Sequence, residues 1–87
     1  MEKATSPTVY VGIDVAKDQL DVHILPSGEA LVFPNDDSGI LRLTTLLTDL
    51  PPALIVLEAT GGYEARLAAD LAAATLPVVV VNPRQGP

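Results

Sequence analysis

Val9-Tyr10-Val11-Gly12-Ile13-Asp14 is a short apolar run that closes on a carboxylate, and Leu54-Ile55-Val56-Leu57-Glu58 repeats the pattern later in the chain. Carboxylates are almost never buried without a partner, because stripping their water is costly. One such run would mark only the wet end of a strand. Two of them point to a pair of acids emerging at the same edge of one sheet. Placed so, Asp14 and Glu58 could hold a divalent metal ion between them.

The first run, Val9 to Ile13, does not alternate, which predicts a central strand covered on both faces. Residues 15–19 are polar enough for a turn. Leu20-Asp21-Val22-His23-Ile24 alternates strictly and predicts a strand with one wet face. Pro26-Ser27-Gly28 is a turn signal, and Ala30 to Phe33 makes a third strand. With connections this short, the three strands form an antiparallel meander. Pro34-Asn35-Asp36-Asp37-Ser38 then stops the strand and offers several helix N-caps. Ile40, Leu43, Leu47 and Leu50 recur at helical spacing, and Pro51-Pro52 closes that helix. Leu54 to Glu58 is the fourth strand, and Thr60-Gly61-Gly62 turns the chain again. A second helix is predicted from about Tyr63 to Thr75, alanine-rich, with Leu67 and Leu71 on one side. Val78 to Val81 is the fifth strand, ended by Asn82-Pro83.

The order βββαβαβ predicts an α/β fold with a mixed five-stranded sheet, order 3-2-1-4-5, and two helices on one face. Strand 1 would lie beside strand 4, so Asp14 and Glu58 would sit together at the C-terminal ends of parallel strands. Open α/β sheets bind their ligands at that edge.

Bulk composition narrows the function. The chain has 87 residues, 48% hydrophobic and 18% charged, which suits one small folded domain with one core. Aromatics are only 3%, so that core must be aliphatic. There is no cysteine, which removes disulfides and thiolate zinc sites. The net charge of -6 disfavours unaided gripping of phosphate backbones, which depends on Lys and Arg. No apolar run approaches the roughly 20 residues that span a bilayer, and residues 1–8 read as a loose tail and not as a signal peptide. No membrane association is expected, and a cytoplasmic location is.

Three motifs sharpen the reading: Gly12-Ile13-Asp14-Val15-Ala16-Lys17-Asp18, Leu57-Glu58-Ala59-Thr60-Gly61-Gly62-Tyr63-Glu64 and Val81-Asn82-Pro83-Arg84-Gln85. In this order and spacing they closely resemble the N-terminal, ribonuclease H-like part of the DEDD transposases, which comprise the Piv-like invertases and the transposases of insertion-sequence family one-ten. The resemblance runs from Val9 to Gln85. It implies a catalytic core that coordinates divalent metal, Mg2+ or Mn2+, through four acids, and that cuts and joins DNA ends. In part of the family it also implies recognition of DNA through a structured guide RNA. Asp14 matches the first family acid and Glu58 the second. The third and fourth belong to a downstream motif, so residues 9–87 are expected to form a partial transposase domain, truncated and inactive alone, with metal held firmly only in the complete site.

Several residues have plainer readings. Lys17 and Arg84 could touch phosphate but read first as solvated residues. His23 shares a wet strand face with Asp21. The glycine turn before the second helix could hold an anion, though a tight turn explains it equally. Glu64 suits the first turn of a helix through the dipole.

A rival reading is the nucleotide-binding half of an actin-like or sugar-kinase ATPase, which shares the strand order. Such proteins usually carry a glycine just after the acid, where this chain has Val15-Ala16. A third is a non-catalytic interaction remnant. Because both helices would cover one face only, a homo-oligomer is expected, formed through the helix-free face or the strand 5 edge and burying valines of strands 1, 4 and 5, so that a charge at Val79 or Val80, whichever points away from the helices, would break it.

Overall fold

The computed structural model describes residues 8–59 and 61–82. The elements are β1 (Tyr10–Val15), β2 (Gln19–Leu25), β3 (Glu29–Pro34), α1 (Asp37–Asp49), β4 (Leu54–Ala59), α2 (Ala65–Ala73) and β5 (Val78–Val81). They form one sheet of order β3-β2-β1-β4-β5, as the sequence predicts. β1 pairs antiparallel with β2 and parallel with β4, and β4 pairs parallel with β5.

Val11, Ile13 and Val15 of β1 point one way, with Leu20 and Val22 of β2 and with Ile55, Leu57 and Ala59 of β4. Ile40, Leu43 and Leu47 of α1 and Leu67 and Leu71 of α2 pack onto them in a single aliphatic core. Both helices therefore lie on one face. The opposite face carries Tyr10, Gly12 and Asp14 of β1, which are exposed or half-buried. The predicted covering of β1 on both faces is not found among the described residues, because neither helix crosses to the second face.

Local chemistry explains where each helix begins and ends. Asp36, in extended conformation, is the N-cap of α1, and its Oδ1 accepts the Gly39 N–H at 2.8 Å. Gly39 has to be glycine, since a Cβ there would run into the Pro34 carbonyl. Leu50, expected on the buried stripe, is instead the C-cap residue and 60% exposed, because Pro51 ends the helix before its side chain can turn inward. α2 is shorter than its spacing suggests. Its C-terminus closes in a Schellman pattern, with Thr75 N–H donating to Ala72 O and Leu76 N–H to Leu71 O. Thr75 occupies the left-handed position of that pattern at φ 60°, where glycine is usual.

Candidate functional site

Asp14 and Glu58 are exact partners in the β1–β4 register, each one residue before the end of its strand. Both are exposed, and both stand on the helix-free face. Adjacent strands lie about 4.8 Å apart, so the two carboxylates rise from neighbouring backbones. The β1–β2 register sets Asp21 opposite Asp14 on the other side. Asp21, Asp14 and Glu58 thus form a row across three strands. Arg66 takes the described ion pairs, to Asp37 at 2.7 Å and to Asp70 at 3.3 Å, so no cation of the described residues pairs with the row. Its one described hydrogen bond is from Gln19 Nε2 to Asp21 Oδ1, at 2.9 Å. Like charges directly opposite one another destabilise a sheet, and a bound cation would relieve this.

The row is not a closed ligand cage. Among the described residues no three His, Cys, Asp or Glu side chains gather closely enough to hold a metal ion. The donor set here is oxygen only, two neighbouring carboxylates, Asp14 and Glu58, of the type hard cations take as ligands. Mg2+ commonly binds in that way, through one or two carboxylates and several retained waters.

Three loops meet at this end of the sheet. The first follows β1 and contains Ala16 and the exposed Lys17. The second follows β4; Gly62 there has φ 80°, and a Cβ on Gly61 would stand 2.6 Å from the Tyr63 ring. The third joins β3 to α1 and contains Asn35. Asn35 Nδ2 donates to Ala16 O at 2.8 Å and to Tyr63 O at 3.4 Å, tying the other two loops together.

Other predicted residues fall outside this arrangement. Glu64 is the N-cap of α2, in helical conformation and without a side-chain cap bond. Its Oε1 is buried with no hydrogen-bond partner among the described residues. His23 is exposed opposite Gly12 on the acid face, as its strand alternation predicts. Residues 1–7, Thr60, Arg84 and Gln85 lie outside the described residues. A cavity of about 190 Å³, lined mainly by Val9, Val11, Ile24, Leu46 and Leu50, sits at the opposite end of the sheet from the acids.

Two neighbours of the site are not evident in the sequence. Alternation puts Asp21 on a wet face without setting it beside Asp14, although the short β1–β2 turn fixes that register. Asn35 reads there only as a capping residue, because its acceptors are far away in sequence.

The profile of the insertion-sequence one-ten DEDD family, described as a transposase, matches residues 11–86. The chain belongs to the DEDD transposase family. Among solved structures, T. thermophilus RuvC in complex with a Holliday junction substrate is similar at a TM-score of 0.58 and 14% identity, over 91% of this chain and 67% of that one. That likeness shows the ribonuclease H-like fold. No curated protein gives a significant match. As a DEDD transposase domain, the chain is part of a transposase catalytic core, and the ATPase reading falls away. No helix of the described residues is long and apolar enough to cross a membrane.

Proposed function

We propose that Asp14 and Glu58 are the first two acids of a divalent-metal site that cleaves and joins DNA strands in the complete transposase. The observation that carries this is their exact pairing across β1 and β4, on an exposed face, in a chain of this family. Bound there, Mg2+ or Mn2+ would supply Lewis-acid stabilisation of the phosphodiester under attack. Asp14 and Glu58 would hold the ion, and Asp21 would add negative potential from the next strand. The DNA-bound state of the RuvC relative supports DNA as the partner. With a net charge of -6 the domain repels a phosphate backbone, so DNA affinity would depend on the metal and on cationic surface beyond these residues. A guide RNA, where used, would meet the same barrier. Action on cellular DNA agrees with a cytoplasmic location.

The test is a Mn2+ titration followed by electron paramagnetic resonance. Weak binding, at millimolar concentrations, is expected for the wild-type chain and is lost in Asp14→Asn. Binding that survives both Asp14→Asn and Glu58→Gln would put the ion elsewhere. The chain alone is not expected to cut DNA, and Mg2+-dependent nicking abolished by Asp14→Asn would overturn that.

Self-association belongs to the same reading. β5 is an edge strand whose Val79, Val80 and Val81 are 45%, 46% and 38% exposed, with no charge or proline to block pairing. A second copy would cover these valines. Sedimentation showing a soluble monomer at high concentration would refute it.

A further inference from the structure

Beyond Val15 and Ala59 the β1–β4 ladder ends, and nothing in the sheet fixes the distance between the two chains that leave it. Asn35 lies at that point. Its carboxamide nitrogen carries two hydrogens and lies within reach of two carbonyls: Ala16 O at 2.8 Å, just past the β1 acid, and Tyr63 O at 3.4 Å, in the loop that follows the β4 acid. Asn35 is itself held, since its backbone N–H donates to Asp18 O at 3.0 Å. Capping does not account for these bonds, because Asp36 already caps α1. The loop after β4 has reason to need an anchor. It contains two successive glycines, which lose more backbone freedom on ordering than other residues do.

We propose that Asn35 is a positioning residue for the Asp14–Glu58 pair. By tying together the loops that leave β1 and β4, it keeps the strand ends next to the two carboxylates from fraying apart, so that the pair the sheet has set side by side stays presented to a cation. The proposal rests on the reading of Asp14 and Glu58 as a metal pair. It also explains the residue type. Aspartate has no N–H to offer at neutral pH, serine offers one hydrogen, and leucine of similar shape offers none.

Two measurements on Asn35→Leu test it. The first needs no metal: amide hydrogen exchange at residues 16–18 and 61–64 should quicken together, with α1 and the β2–β3 pairing unchanged. The second is Mn2+ affinity, which should fall about tenfold, the scale seen when a residue supporting metal ligands is lost. A core variant such as Leu67→Val, with a comparable drop in melting temperature, should leave the affinity unchanged. If Asn35→Leu fails to fold, Asn35→Ser, polar but too short to reach the two carbonyls, should show the same changes. Unchanged loop exchange overturns the tie whether or not metal binds. Quickened exchange with unaltered Mn2+ affinity overturns the positioning role. A wild-type chain that binds no Mn2+ defeats the metal reading and the role of Asn35 together, while the exchange data still report whether the tie exists.

Discussion

On β4, Leu57 is fully buried beneath the helices, while Glu58, its neighbour in the chain, stands exposed on the opposite face. The same division runs through β1, where Ile13 is 1% exposed and Asp14 is open to water. One face of the sheet holds the domain together, and the other presents its acids. The two tasks are separated by single steps along the chain, because successive strand side chains point to opposite faces. A one-residue slip in the β1–β4 register would exchange them, driving a carboxylate into the aliphatic core. The core thus fixes the position of acids that contribute nothing to it.

The largest expected effect tests the covered face. Leu57→Ala should cost about 2–5 kcal/mol in chemical denaturation, through lost burial and the cavity left behind. Its counterpart on the free face, Val32→Thr, beside Asp21 on β3 and 64% exposed, should change stability by no more than about 0.5 kcal/mol. A loss at Val32 as large as that at Leu57 would break the comparison and mean that something covers the acid face in solution.

Next in size are two changes at helix ends. Gly39→Ala should cost about 1–3 kcal/mol, because the added methyl meets backbone at Pro34 and not a side chain that could swing away. Thr75→Gly should raise stability by about 1 kcal/mol, by removing a β-branched side chain from a left-handed backbone position. A destabilised Thr75→Gly variant would mean that the Thr75 hydroxyl contributes more than its backbone strain costs.

Smaller still is the effect of thinning the acid row. Without metal, Asp14→Asn should stabilise the fold by about 0.5 kcal/mol, since it removes one of three aligned like charges. Added Mg2+ should raise the melting temperature of the wild type and leave the variant unmoved. A destabilised Asp14→Asn would show that the row is not repulsive. Smallest of all, Arg66→Ala should leave the melting temperature unchanged. Its links to Asp37 and Asp70 are exposed, and although hydrogen bonding to Asp37 and the nearby charges raise its pKa, the guanidinium is charged at any working pH.

Much of this was legible in the sequence because it is local. Alternation predicted β2, helical spacing predicted α1 and α2, and short turns predicted the meander. The adjacency of Asp14 and Glu58 followed from strand order alone. What escaped were features that depend on which face a neighbour covers. Apolar β1 looked covered on both sides, yet Gly12 and Tyr10 meet no helix. Leu50 kept the helical spacing of its stripe but lay one residue too late, against Pro51. Asn35 carries no periodic signal, and its acceptors are brought to it only by the finished fold.

The joint at the centre of the sheet also bears on how the molecule assembles. β1 finds β2 across a tight turn, but its other neighbour is β4, made only after β2, β3 and α1. Loop closure of that length must be met before its contacts reward it, so sequence-distant pairings of this kind tend to form late and slowly. The meander should therefore take shape first, with Asp14 alone on its rim, and the acid pair should come into being when β4 docks. Kinetically, the acid pair would report the docking of β4: a chain stalled before that step has a formed hairpin and Asp14 without its partner.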